Sequence, residues 1–80
     1  MKEFDCVEVI IEKEKYAKEG VHKGMQGWIC HPDLRDGCYL VNFPQMGDQE
    51  DIATIPIKEE DLKQIEVLHA EINEQIKARY

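Results

Sequence analysis

The sequence predicts an all-β domain of five short strands followed by one amphipathic C-terminal helix. Three observations lead there. Val7, Val9 and Ile11 alternate with polar residues, the period of a half-buried strand. Turn formers separate the apolar runs, above all Asp36-Gly37 ahead of Cys38-Tyr39-Leu40-Val41-Asn42-Phe43. Near the end the period changes, and Leu68, Ile72, Ile76 and Tyr80 recur every four residues.

The first strand is expected over Asp5–Lys13. Glu14 to Gly20 loses the alternation and reads as a longish loop. Lys23-Gly24-Met25-Gln26-Gly27 leads into a second strand, Met25–Cys30, in which Gly27 permits close backbone approach. Pro32 to Gly37 is dense in turn formers and joins it as a hairpin to the third strand, residues 38–43. Pro44 to Asp51 forms another loop, followed by a short fourth strand, Ile52–Ile55, where Pro56 implies a sheet edge or a strand end. A single helical or 3₁₀ turn over Lys58 to Leu62 precedes the last strand, Ile65–Val67. The tail, residues 69–80, is a helix with an acidic first turn and a basic last one, which suits its dipole. Alone it is marginal in water, so its apolar stripe must pack on the sheet or on a second chain, making it a candidate homodimer seam.

This order of strands, long first loop, hairpin and one-turn helix is that of an SH3-like barrel. Phe4-Asp5-Cys6-Val7-Glu8-Val9, then Gly20 to Ile29, Tyr39-Leu40-Val41-Asn42-Phe43 and Ile57-Lys58-Glu59-Glu60-Asp61-Leu62 resemble the small bacterial KOW-like domains of unknown function. Those share a strand, a Lys-Gly-x-x-Gly turn, a Val-x-Phe strand and a closing x-x-Asp-Leu. The resemblance implies a five-stranded SH3-like barrel over 4–68, with the helix outside it. It also implies a KOW-type turn at Gly20-Val21-His22-Lys23-Gly24, a feature that contacts RNA and neighbouring protein in ribosome and transcription proteins.

Eighty residues hold one core, so residues 1–80 are read as a single domain and a multidomain enzyme is excluded. No apolar run approaches the length of a membrane span, and no signal peptide is expected. Cys6, Cys30 and Cys38 cannot all pair with one another, and free thiols point to the cytoplasm. A zinc site from Cys30, His31 and Cys38 with Cys6 or His22 would need Cys-x-x-Cys spacing that is missing, so no metal or other cofactor is expected. Without a nucleophile elbow, a phosphate loop or a His-Glu-x-x-His motif, the chain reads as non-enzymatic.

The net charge of −7 argues against nucleic acid, whose binding rests on lysine and arginine contacts, and favours a basic protein partner. Most of the acidic excess falls between Asp48 and Glu66. Asp48, Glu50, Asp51, Glu59, Glu60 and Asp61 are therefore the candidate docking face, with Tyr16, Trp28 or Tyr39 as aromatic anchors. Small acidic proteins that neutralise basic bacterial toxins use the same physics, and the chain is similar to such immunity proteins in size and charge. The alternative is a KOW-type RNA- or ribosome-associated module using Lys15, Lys18, His22 and Lys23.

Overall fold

Val7 and Val9 point into the core while Cys6 and Glu8 point away, and this alternation defines β1, Cys6–Val9. The computed structural model describes residues 1–47 and 50–80. After β1 come a short helix α1 (Glu14–Ala17) and the strands β2 (Gln26–Arg35), β3 (Cys38–Phe43) and β4 (Ala53–Lys58). A 3₁₀ turn at Glu59–Asp61, β5 (Leu62–Ile65) and the helix α2 (Ala70–Lys77) complete the chain. The strands make one antiparallel sheet in the order β4-β3-β2-β1-β5, so the expected all-β class with a C-terminal helix is present. Among the described residues no ladder joins β4 to β5, and backbone hydrogen bonding leaves the sheet open. No described helix is long and apolar enough to cross a membrane.

Local chemistry explains the best-matched elements. Asp36 and Gly37 both have positive φ, 52° and 76°, as a two-residue type I′ turn requires, and they bring Arg35 opposite Cys38. Pro56 sits in β4 at the end of the strand order, where a missing N–H does least harm. At Gly27 a Cβ atom would collide with the Asn42 carbonyl oxygen, which is why β2 carries glycine there.

Other boundaries differ from expectation. β1 stops at Val9 rather than Lys13: Ile10 and Ile11 are exposed, and the expected loop contains α1, which turns Tyr16 into the core. β2 continues to Arg35, with shifts of register between Ile29 and His31 and between His31 and Arg35 that absorb the expected turn at Pro32. β5 starts at Leu62, not Ile65, because Leu62 is the inward residue opposite Val9 while Ile65 lies opposite Cys6 on the outer face.

One core gathers inward residues of every strand, among them Val7, Ile29, Phe43, Ile57 and Leu62, with Tyr16 from α1 and Ile76 from α2. Two residues of the apolar stripe of α2, Ile72 and Ile76, thus pack on the chain's own core. Asn73 completes the docking from full burial. Its Oδ1 accepts the Gln26 N–H at 2.7 Å, and its Nδ2 donates to the carbonyls of Gln26 at 2.7 Å and Pro44 at 2.9 Å. Gln26 Oε1 in turn accepts the His69 N–H at 2.8 Å. One side-chain amide therefore stands in for a neighbouring strand just beyond the last β2–β3 pair, Trp28 with Asn42.

A second polar lock sits at the other corner. Asp61 is only 5% exposed, and its Oδ2 accepts hydrogen bonds from Lys13 Nζ and Tyr16 Oη, each at 2.7 Å. Tyr16 Oη also accepts the Lys58 N–H at 3.1 Å, and the Asp61 carbonyl accepts the Ile10 N–H at 2.9 Å. Burial pushes the Tyr16 phenol up to about 12, and the Asp61 carboxylate adds to the rise, so it remains a donor. Burial also pushes the Asp61 carboxyl up, but the Lys13 ammonium and the Tyr16 hydroxyl together outweigh it and hold it below the ordinary carboxylate range.

Two outcomes follow. Asn73→Ala leaves the Gln26 N–H and carbonyl unpaired and should lower the unfolding free energy in urea by about 1–3 kcal/mol. A group whose folded pKa is depressed contributes stability that is complete above its unfolded value, about 3.9, and lost as pH falls through the folded value. Stability should therefore decline below about pH 5, and Asp61→Asn should shrink that decline while costing about 1.5–3 kcal/mol at neutral pH. An acid limb of unchanged size in the variant would assign the titration to other groups.

Candidate binding cleft

The loop between β3 and β4 carries the first half of the acidic run, and side-chain amides hold it in place. Asn42 Nδ2 donates to Asp51 Oδ2 at 2.8 Å and to Thr54 Oγ1 at 2.9 Å. Gln45 Nε2 donates to the Glu50 carbonyl at 2.7 Å, and Lys77 Nζ donates to Gln45 Oε1 at 3.2 Å. With the Asn73 bond to Pro44, α2 grips the start of this loop at two points.

Across from the loop lies the turn before β2. Glu12 folds back over it: Oε1 accepts the Lys23 N–H at 2.8 Å and Oε2 accepts from His22 Nδ1 at 2.7 Å. The Lys23 N–H, helped by His22, keeps the Glu12 carboxyl below its ordinary range despite some desolvation. Buried His22 stacks flat on Tyr80, with ring centroids 3.5 Å apart and planes within 4°.

Between the loop, the turn and α2 runs a cleft of about 430 Å³. Glu19, Glu50 and Asp51 flank it, and Lys77 and the His22–Tyr80 stack form part of its wall. Three carboxylates face one ammonium, so the cleft attracts cations, and the Tyr80 ring offers a flat surface for a lysine or arginine side chain. Side chains from three separate stretches of sequence converge here.

The expected site residues are distributed differently from the sequence reading. Glu50 and Asp51 join the cleft, and Asp48 lies outside the described residues. Glu59 and Glu60 follow the far end of β4, roughly 20 Å away along a six-residue strand. The acidic run is therefore two separate surfaces. Asp61 and Tyr16 are corrected from docking residues to internal ones, since both are buried and bonded to each other. Tyr39 is buried too, donating its hydroxyl to Glu59 Oε2 at 3.0 Å, so its ring is not an exposed anchor. Trp28 is half-buried on the outer face of the sheet, against Phe4.

In the alternative constellation Lys15, Lys18 and Lys23 are exposed, but His22 is buried and held by Glu12, and no Tyr16 face is open for a base. Lys15 Nζ lies 5.3 Å from the Tyr16 ring centroid. Cys6, Cys30 and Cys38 are free thiols, with burial pushing the Cys30 thiol up. Among the described residues no three His, Cys, Asp or Glu side chains come together to hold a metal ion.

Sequence reasoning missed Glu12, Glu19, Lys77 and Tyr80 as parts of a site. In sequence nothing separates Glu12 and Glu19 from other charged residues, and Tyr80 reads as the end of a helix stripe. No protein-family model, curated protein or solved structure matches the chain.

The stack can be checked directly. The His22 ring protons, lying over the face of Tyr80, should move downfield in the NMR spectrum of Tyr80→Leu. Unmoved resonances would mean that the two rings are not stacked in solution.

Proposed function

We propose that the chain is a non-enzymatic, cytoplasmic protein-binding module that receives a lysine- or arginine-rich segment of a basic partner in the acidic cleft. The observation that carries this reading is the convergence of Glu19, Glu50 and Asp51 around one opening walled by Tyr80. Charge of this kind speeds encounter and orients the partner, and the aromatic wall supplies contact area. Its concrete form is an immunity or antitoxin role, in which the module occupies the cationic surface of a basic toxin. The three free thiols fit a reducing compartment. We read the five-stranded antiparallel sheet as an SH3-like barrel of KOW type; the strand order β4-β3-β2-β1-β5 and the 3₁₀ turn immediately before β5 support that reading.

The test uses a short lysine- and arginine-rich peptide titrated into ¹⁵N-labelled protein at low salt. Amide shifts should concentrate on Glu19, Glu50, Asp51 and Tyr80. Glu19→Lys with Glu50→Lys, two exposed side chains with no hydrogen bond or ion pair to other side chains among the described residues, should weaken binding by about tenfold or more, equivalent to about 1.4 kcal/mol per decade. Unchanged affinity in the double variant, or shifts centred on Glu59 and Glu60, would reject the cleft.

A further inference from the structure

We infer that the outer face of β1, β2 and β5 is a second docking surface, fitted to an extended segment of a partner chain in which apolar and basic side chains alternate. Cys6 lies directly opposite Trp28 on β2 and Ile65 on β5. The three share the face turned from the core, because their neighbour Val7 is buried in it. Phe4 extends this apolar strip: it is 67% exposed, and its ring lies 5.6 Å from that of Trp28, tilted by 35°.

The exposure of Phe4 is imposed by the backbone. Its φ of 68° lies in the left-handed region, unfavourable for a residue with a side chain. Three hydrogen bonds hold the strained turn: Phe4 N–H to the Ile29 carbonyl at 2.8 Å, Asp5 N–H to the Lys2 carbonyl at 3.1 Å, and Lys2 N–H to Asp5 Oδ2 at 2.8 Å. Strain that fixes an aromatic ring in water, where folding gains little from it, is characteristic of a recognition feature.

Beside the ring runs a groove lined by Phe4, Asp5, Cys6, Gln64, Ile65 and Glu66. An extended segment laid in this groove would turn alternate side chains toward Phe4, Trp28 and Ile65. The charges choose the occupant. Asp5 and Glu66 line the groove, while Lys63 beside it is engaged by Glu8 at 3.5 Å. A second copy would bring the same carboxylates and another net charge of −7 to the contact, whereas a cationic segment of another protein is attracted. This face shares no residue with the acidic cleft.

Trp28 is the sole tryptophan, so its fluorescence reports on this face alone. The probes are a short peptide alternating valine with lysine and its valine–glutamate counterpart. The valine–lysine peptide should shift the Trp28 emission to the blue saturably. Phe4→Ser and Glu66→Lys, both at exposed positions, should each weaken binding by about tenfold, while Glu60→Lys, the same charge change elsewhere, should not. An equal response to the valine–glutamate peptide, no emission change, or equal losses in all three variants would overturn the proposal. Twice the chain mass in sedimentation, abolished by Phe4→Ser, would also overturn it by making a second copy the occupant. Binding in the cleft is read from Tyr80, so either surface can fail without the other.

Discussion

One oxygen atom, Asp61 Oδ2, accepts hydrogen bonds from Lys13 and from Tyr16 across more than forty residues of sequence. A carboxylate removed from water loses several kcal/mol of hydration unless partners replace it, and here an ammonium and a phenol do so. The consequence is topological. β4 and β5 have no ladder between them, yet the Tyr16 hydroxyl receives the Lys58 N–H at the end of β4 while the Asp61 carbonyl receives the Ile10 N–H beyond β1. The side-chain cluster thus ties together the exits of β1 and β4, the helix α1 and the start of β5. It also explains why β1 ends early: the chain must leave the sheet for Lys13 and Tyr16 to reach the carboxylate.

The Asn73 amide does comparable work at the other end. It satisfies the Gln26 backbone where pairing with β3 stops and, through Pro44, fixes the start of the loop that carries Glu50 and Asp51. Since Lys77 of the same helix reaches Gln45, the position of α2 sets the shape of the cleft. A helix of eight residues has little intrinsic stability in water, so packing of Ile72 and Ile76 together with this amide holds it. Fold and candidate site are linked through two buried amides, Asn73 on the helix and Asn42 on β3, which holds Asp51.

What could be read from the sequence was local. The Asp36-Gly37 turn was legible because the backbone conformation it needs is a property of those two residues, and Val7 and Val9 were legible because their environment repeats every second residue. Tyr16 was not, since its burial depends on Asp61, and nothing in Glu59-Glu60-Asp61 marks the third acid as the inward one. The register of β5 was misread for a related reason. Ile65 and Val67 alternate convincingly, but they do so on the outer side, while the core takes Leu62. Apolar residues on a solvent face imitate a core strand in sequence, and here that imitation coincides with the surface beside Phe4 and Trp28.

The separation of the acidic run changes what the net charge means. As a global quantity, −7 describes solubility and a preference for cationic partners. Resolved over the structure, two carboxylates are paired with ammonium groups, Asp61 with Lys13 and Glu8 with Lys63, while Glu12 and Glu59 are fixed in place by hydrogen bonds. The field a partner meets at the two surfaces comes from nearby groups, Glu19, Glu50 and Asp51 at the cleft and Glu66 at the outer groove. Because these groups are exposed and lie on different elements, their attraction is screened within about 8 Å at physiological salt, and each surface acts as a local recognition site. A partner bound at either must present its positive charges at a matching local spacing, and cationic composition alone does not suffice.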